Sequence, residues 1–222
     1  MKIVQVSEKT AGTVASILLE IGAIKLNYQK PFTWSSGWKS PVYCDNRISL
    51  SYPKIREMIK SFLADAVREN FKGTECIAGV ATAGIAQGAL VAEELNLPFI
   101  YVRPKPKDHG MENLIEGKIV QGQRVVLVED LISTGGSSLK AAETLKSAGF
   151  IVDGMVAIFT YGFDVAVKNF EAASVPLICL SDFEHLLPEA LKMNYIKAED
   201  LEHVKKWRSN PSQWGKTSPP AP

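Results

Sequence analysis

Between residues 76 and 180 the chain alternates short, nearly continuous apolar runs with segments of helical period. The runs fall at 76–81, 98–102, 124–128, 154–161 and 177–180, and they are apolar on successive positions rather than on every second one. A strand covered on both faces reads this way, which is the mark of a parallel sheet between helical layers. Helical patterns occupy 85–96, 137–148 and 164–173, the second of them stopping at Gly149. Crossovers of that length join parallel strands in the right-handed sense. The pattern predicts an α/β fold with a central, mostly parallel sheet flanked by helices.

Two helices are expected upstream. Over residues 8–22, Val14, Ile17, Leu18 and Ile21 recur at helical spacing, with Ser7 placed as N-cap and Gly22 as stop. Ser51-Tyr52-Pro53 opens the second, whose apolar stripe is Ile55, Met58, Ile59, Phe62, Leu63 and Ala66. Between them, aromatic pieces on either side of Ser35-Ser36-Gly37 predict a hairpin or small extended subdomain. A last short helix is expected over 198–208, ahead of a Pro- and Ser-rich tail. The chain thus divides into an N-terminal helix and hairpin (1–50), an α/β core (51–182), a C-terminal helical segment (183–209) and a flexible tail (210–222).

Charge excludes some partners. With 25 basic and 24 acidic residues the net charge is +1, which gives no general attraction to nucleic acid or an acidic membrane. Anion binding must come from a local cluster. Cys44, Cys76 and Cys179 form no C-x-x-C pair, and only His109, His185 and His203 could join them, so they read as free thiols in a reducing cytosol, with no metal-ligand set. Glu8 and Lys9 interrupt any signal-peptide core, and the longest uncharged run, 76–92, is broken by Gly79, Gly84 and Gly88. A membrane helix needs about 20 apolar residues in succession. A cytoplasmic protein is expected.

The strongest chemical signal is VVLVEDLISTGGSSLKAAETL, residues 125–145. In open α/β sheets ligands bind beyond the carboxyl ends of the strands, and Glu129 and Asp130 stand at such an end. Two adjacent carboxylates need a donor or a cation nearby, a need that sugar hydroxyls or a metal ion would meet. The next residues, Leu131, Ile132, Ser133, Thr134, Gly135, Gly136 and Ser137, run into a helix start. Backbone N–H groups freed by glycine, hydroxyls and the positive helix end together suit a phosphate. The combination predicts ribose held by the acids and its 5′-phosphate by the loop, against the simpler reading of an ordinary capping turn.

A second signal follows the strand at 98–102. Arg103, Lys105, Lys107 and His109 fall within seven residues, and Pro104, Pro106 and Gly110 prevent regular structure. A long cationic loop there suits a lid over a pyrophosphate, though a solvated loop would read alike. The turn Ala81-Thr82-Ala83-Gly84 adds a third, weaker backbone-donor site on the same sheet edge. No G-x-G-x-x-G follows a strand, and residues 110–119 miss the P-loop spacing.

The stretch VVLVEDLISTGGSS resembles the ribose-phosphate signature of the type I phosphoribosyltransferases, which use 5-phosphoribosyl 1-diphosphate (PRPP). RPKPKDHG resembles the catalytic loop of the orotate-specific branch. FTWSSGWKSPVYCDN with LSYPK is similar to that branch's N-terminal hood in its Gram-positive-like form, and GVATAGIA to its pyrophosphate loop. The likeness spans roughly residues 10–208. It implies the type I phosphoribosyltransferase fold with a small hood, transfer of ribose 5-phosphate from PRPP to orotate in pyrimidine biosynthesis, Mg²⁺ as cofactor, and a homodimer whose lids reach across the interface. It implies PRPP contacts from Arg103, Lys107 and His109, and from Glu129, Asp130, Leu131, Ile132, Ser133, Thr134, Gly135, Gly136 and Ser137. Ser133 would also lie close to orotate, and Lys107 and Asp130 would be catalytic. The chain departs from other branches at Ser35, Ala83 and Pro104, where they carry lysine, and near Tyr161, where they carry arginine; Lys39, Lys105 or backbone donors stand as replacements. A purine-base transferase and a PRPP-sensing regulator remain as alternatives, the latter disfavoured by the neutral charge.

Overall fold

The computed structural model describes residues 4–34, 37–105 and 114–214. In chain order the elements begin with β1 (Val4–Gln5), α1 (Glu8–Glu20), β2 (Ile24–Leu26), β3 (Phe32–Thr33), β4 (Lys39–Ser40) and β5 (Val42–Cys44). A 3₁₀ turn (Asn46–Ser51) leads to α2 (Pro53–Asn70), β6 (Cys76–Val80), α3 (Gly84–Leu95), β7 (Phe99–Val102) and β8 (Ile115–Glu116). Then come β9 (Arg124–Ile132), α4 (Gly136–Ser147), β10 (Ile151–Thr160), α5 (Asp164–Ala172), β11 (Leu177–Asp182), α6 (Phe183–Lys192) and α7 (Leu201–Ser209).

The α/β expectation holds. Seven strands form the main sheet in the order β1-β11-β10-β9-β6-β7-β8, parallel throughout except for the β7–β8 pair. From β6 the chain crosses by α3 to β7 on one side; from β9 it crosses by α4 to β10 on the other. Right-handed crossovers in opposite directions place α3 and α4 on opposite faces of the sheet. The crevice between the carboxyl ends of β6 and β9 is therefore the topological switch point.

The strand pattern shows the two-layer burial directly. In β9, Val126 and Val128 join a core with residues of α1, α2, α3, α6 and α7, while Val125 and Leu127 join a second core with α4 and α5. All four are fully buried. Ser7 caps α1, accepting from the Thr10 N–H at 3.2 Å, and Gly22 takes φ +69° beyond its end. Pro53 sits in the first turn of α2. β3 and β4 pair as the expected hairpin, with Phe32 opposite Ser40, and β2 and β5 form a second antiparallel pair.

Several boundaries differ. β9 runs to Ile132 instead of ending at 128, because β10 accompanies it as far as the Ile132–Thr160 pair. Glu129 and Asp130 thus lie within the strand, not beyond it. β10 begins at Ile151, three residues before the apolar run, with a register shift between Val152 and Gly154. The two-residue strands β1 and β8 are too short to show a period, while α6 falls inside residues 183–209, where a helical segment is expected. Among the described residues no helix is long and apolar enough to cross a membrane. The three cysteines are free.

Candidate active site

Three glycines let α3 press against the sheet at the switch point. A Cβ on Gly84 would stand 2.3 Å from the Val128 carbonyl oxygen, and one on Gly79 would stand 2.7 Å from that of Gly84. One on Gly88 would meet the Phe99 ring at 2.8 Å. Only glycine permits this approach of helix to strand. It sets the Ala81–Gly84 turn alongside the end of β9, as the sequence suggested.

Glu129 and Asp130 are consecutive on β9, and their carboxyl groups interact with each other. Glu129 is 6% exposed and fully engaged: one carboxylate oxygen accepts the Asp130 N–H at 3.0 Å and the other accepts the Ser138 hydroxyl at 2.9 Å. Burial, followed by the neighbouring Asp130 charge, pushes the Glu129 carboxyl well above its ordinary range. Asp130 is half-buried and is also raised, by burial first, with Glu129 hydrogen bonding and the Arg47 charge pulling the other way. Two carboxyls held above their usual values in one crevice are poised for a partner that brings donors or positive charge.

Beyond β9 the loop turns through Gly135 at φ +80°, where a Cβ would strike the Phe170 ring at 2.6 Å. Helix α4 then starts at Gly136 with no side chain bonded to its first N–H groups. That leaves the positive end of the helix open to an external anion. The loop is held from behind: Asn169 donates to the Thr134 carbonyl at 2.9 Å, and the Thr160 hydroxyl donates to that of Ile132 at 3.1 Å. A cavity of about 110 Å³ brings Arg103 and Pro104, at the start of the cationic loop, together with Ala81, Ser137 and Lys140. Arg103 also reaches Glu116 of β8 at 3.5 Å. Lys107, His109 and Ser35 lie outside the described residues.

A second cavity, about 600 Å³, opens beside the acidic strand end and is lined by Trp34, Trp38, Tyr43, Leu131, Ser133 and Tyr161. The hairpin supplies its outer wall and β9 and β10 its inner one. Trp34 stacks on Tyr161 with centroids 5.1 Å apart, and the indole N–H donates to the Val42 carbonyl at 3.1 Å. Aromatic faces around a slot with hydroxyls at one end suit a flat heterocycle. Ser133 lies on the wall of this cavity. The aromatic walls and Asn46 escaped the sequence reading. Asn46 is 1% exposed and donates to the Asp130 carbonyl at 2.6 Å, tying the hood to the acid pair. Its place in Cys44-Asp45-Asn46-Arg47, directly after the hairpin, was the only available sign.

The family profile described as "Phosphoribosyl transferase domain" matches residues 49–162, from the 3₁₀ turn through the end of β10. A Cytophaga hutchinsonii orotate phosphoribosyltransferase is 56% identical over 203 residues, covering 91% of this chain and 97% of its own. The chain belongs to the orotate phosphoribosyltransferase family. A Porphyromonas gingivalis orotate phosphoribosyltransferase is likewise 56% identical, over 93% of this chain and 99% of its own. Among solved structures, orotate phosphoribosyltransferase from Aeropyrum pernix superposes with a TM-score of 0.71 at 29% identity, covering 83% of this chain and 99% of that one. The Leishmania donovani UMP synthase gives 0.75 at 28% identity, over 90% of this chain and 42% of that longer one. The family's type I phosphoribosyltransferase fold is the fold described above.

Proposed function

We propose that the chain transfers the 5-phosphoribosyl group of PRPP to the ring nitrogen of orotate, giving orotidine 5′-monophosphate and pyrophosphate. The observation that carries this reading is the juxtaposition at one sheet edge of the Glu129–Asp130 pair, the open α4 N-terminus and the 600 Å³ aromatic cavity. Asp130 and Glu129 hold the ribose, the backbone of residues 131–137 takes its 5-phosphate, and the heterocycle lies in the aromatic cavity beside Trp34 and Ser133. Arg103 stands at the root of the lid, and Lys107 and His109 are assigned to the diphosphate.

Among the described residues no cluster of three or more His, Cys, Asp or Glu side chains is arranged to hold a metal. Magnesium commonly uses one or two carboxylates, waters and substrate phosphates, so the acid pair fits an ion arriving with PRPP. When bound, Mg²⁺ neutralises charge on the diphosphate. Orotate needs no strong base, since its ring nitrogen reacts in an ionised form. The barrier is cleavage of the anomeric carbon–oxygen bond, which places positive charge on the ribose. That charge draws both raised carboxyls back toward their ionised forms, where they stabilise it most. The lid cations meet the negative charge growing on the leaving group, and closure keeps water from the activated sugar.

Product analysis tests the proposal. Incubation with PRPP, Mg²⁺ and orotate should yield orotidine 5′-monophosphate and pyrophosphate in equal amounts by chromatography. Pyrophosphate with free ribose 5-phosphate and intact orotate would instead mean hydrolysis, and would overturn it.

A further inference from the structure

Two of the rings that wall the base cavity, Trp34 and Tyr161, come from distant parts of the chain, and both rest on a third. Trp207 of α7 is fully buried and meets Trp34 edge-on at 5.8 Å and Tyr161 edge-on at 5.5 Å. Its neighbour Arg208 spends its guanidinium on the same strand end. Nε donates to the Tyr161 carbonyl at 3.1 Å, Nη2 to that of Gly162 at 3.1 Å, and Nη1 to the Glu184 carboxylate at 2.9 Å. A planar fork of this kind fixes direction as well as distance, which an ammonium cannot reproduce.

The strand end is shaped to receive it. Gly162 has φ +66°, and a Cβ there would stand 2.9 Å from Nη2 of Arg208. The Gly162 N–H donates to the Thr160 hydroxyl at 3.0 Å, and that hydroxyl donates to the Ile132 carbonyl. Residue 132 directly precedes the loop of Ser133 and Thr134. The arginine therefore braces the residue under the base, whereas the phosphate loop has anchors of its own in Thr160 and Asn169. Residues 201–209 lie outside the family match at 49–162, so nothing in that match accounts for them.

We infer that Arg208 is a positioning residue for the nucleobase: it holds Tyr161 and Gly162 in place, so that the stacked Trp34–Tyr161 pair keeps its position in the wall of the base cavity. This rests on the base being bound in that cavity, as proposed above. Arg208 touches backbone carbonyls rather than substrate, so its loss should weaken base binding while leaving PRPP binding alone.

The test compares Arg208→Gln and Arg208→Lys with the wild type in steady-state assays varying orotate and PRPP separately, alongside thermal unfolding. In Arg208→Gln the KM for orotate should rise on the order of ten-fold, as loss of charge-assisted hydrogen bonds implies, with the KM for PRPP within about two-fold of wild type. Arg208→Lys should recover part of that loss. Should Arg208→Gln not fold, Glu184→Gln removes only the exposed carboxylate that orients the fork, and should raise the orotate KM in the same direction by a smaller factor. Equal rises in both KM values, a fall in melting temperature alone, or unchanged kinetics would each overturn the inference. Absence of orotate turnover in the wild type would instead overturn the proposed function, so the two failures are distinct.

Discussion

Glu129 is enclosed by a backbone N–H and the Ser138 hydroxyl, while Asp130, one residue on, faces the crevice under the influence of Arg47. Both carboxyls are held above their ordinary pKa, so over the interval between ordinary and raised values the native state binds more protons than the unfolded chain. Stability of the ligand-free protein should then fall as pH rises from the ordinary carboxylate range of about 4. Glu129→Gln should flatten that fall, as read from urea unfolding free energies across pH; a wild-type profile that climbs over the interval would contradict the assignment. Lys107→Ala should lower turnover on the order of 100-fold with the circular dichroism spectrum unchanged, since a lost charge contact to a leaving group commonly costs about 3–4 kcal/mol. Wild-type turnover in that variant would remove Lys107 from the lid's chemistry. At this scale the acids, the glycines and the hydroxyls were legible because each is rare at a strand end. Trp34, Tyr161 and Asn46 were not, because an aromatic or an amide near a hairpin reads as core until the fold shows which side it faces.

Elements are held at the switch point by contacts that only small residues allow. Gly84→Ala should cost about 3 kcal/mol, its Cβ meeting the Val128 carbonyl, a backbone atom that cannot turn aside. Denaturant titration would read this as a lower midpoint at unchanged slope; an unaltered midpoint would mean that α3 can shift freely on β9. Helices α1 and α6 are joined by His185, which lies 2.8 Å from Asp182 and 2.9 Å from Glu8. Burial alone would lower its pKa, but the two carboxylates raise it. That stabilisation is complete below the ordinary histidine pKa and is lost as pH rises through the raised one. The apolar runs announced every long strand of the parallel sheet. They understated β9, since Glu129 and Asp130 interrupt the apolar run before Leu131 and Ile132, and the strand continues there because β10 extends beside it. An apolar run reports burial, and a strand that buries an acid to build a site stops reporting.

For the whole molecule, the family likeness reaches nearly end to end, and the fold packs residues more than 170 positions apart against one another behind the base cavity, as Trp34 and Trp207 show. A homodimer with lids exchanged across its interface predicts complementation. Mixing subunits carrying Lys107→Ala with subunits carrying Asp130→Asn should restore up to about a quarter of wild-type activity, since only mixed dimers regain one intact site. Mixtures as inactive as their components would place each lid over its own subunit's site.

The central claim is that this crevice joins PRPP to orotate in particular. The direct measurement is the fall in orotate absorbance on adding PRPP and Mg²⁺, with adenine, hypoxanthine and uracil in parallel. Rapid loss with orotate and none with the other bases is the predicted result. Turnover of another base in place of orotate would keep the fold and contradict the substrate, and silence with all four would contradict catalysis itself.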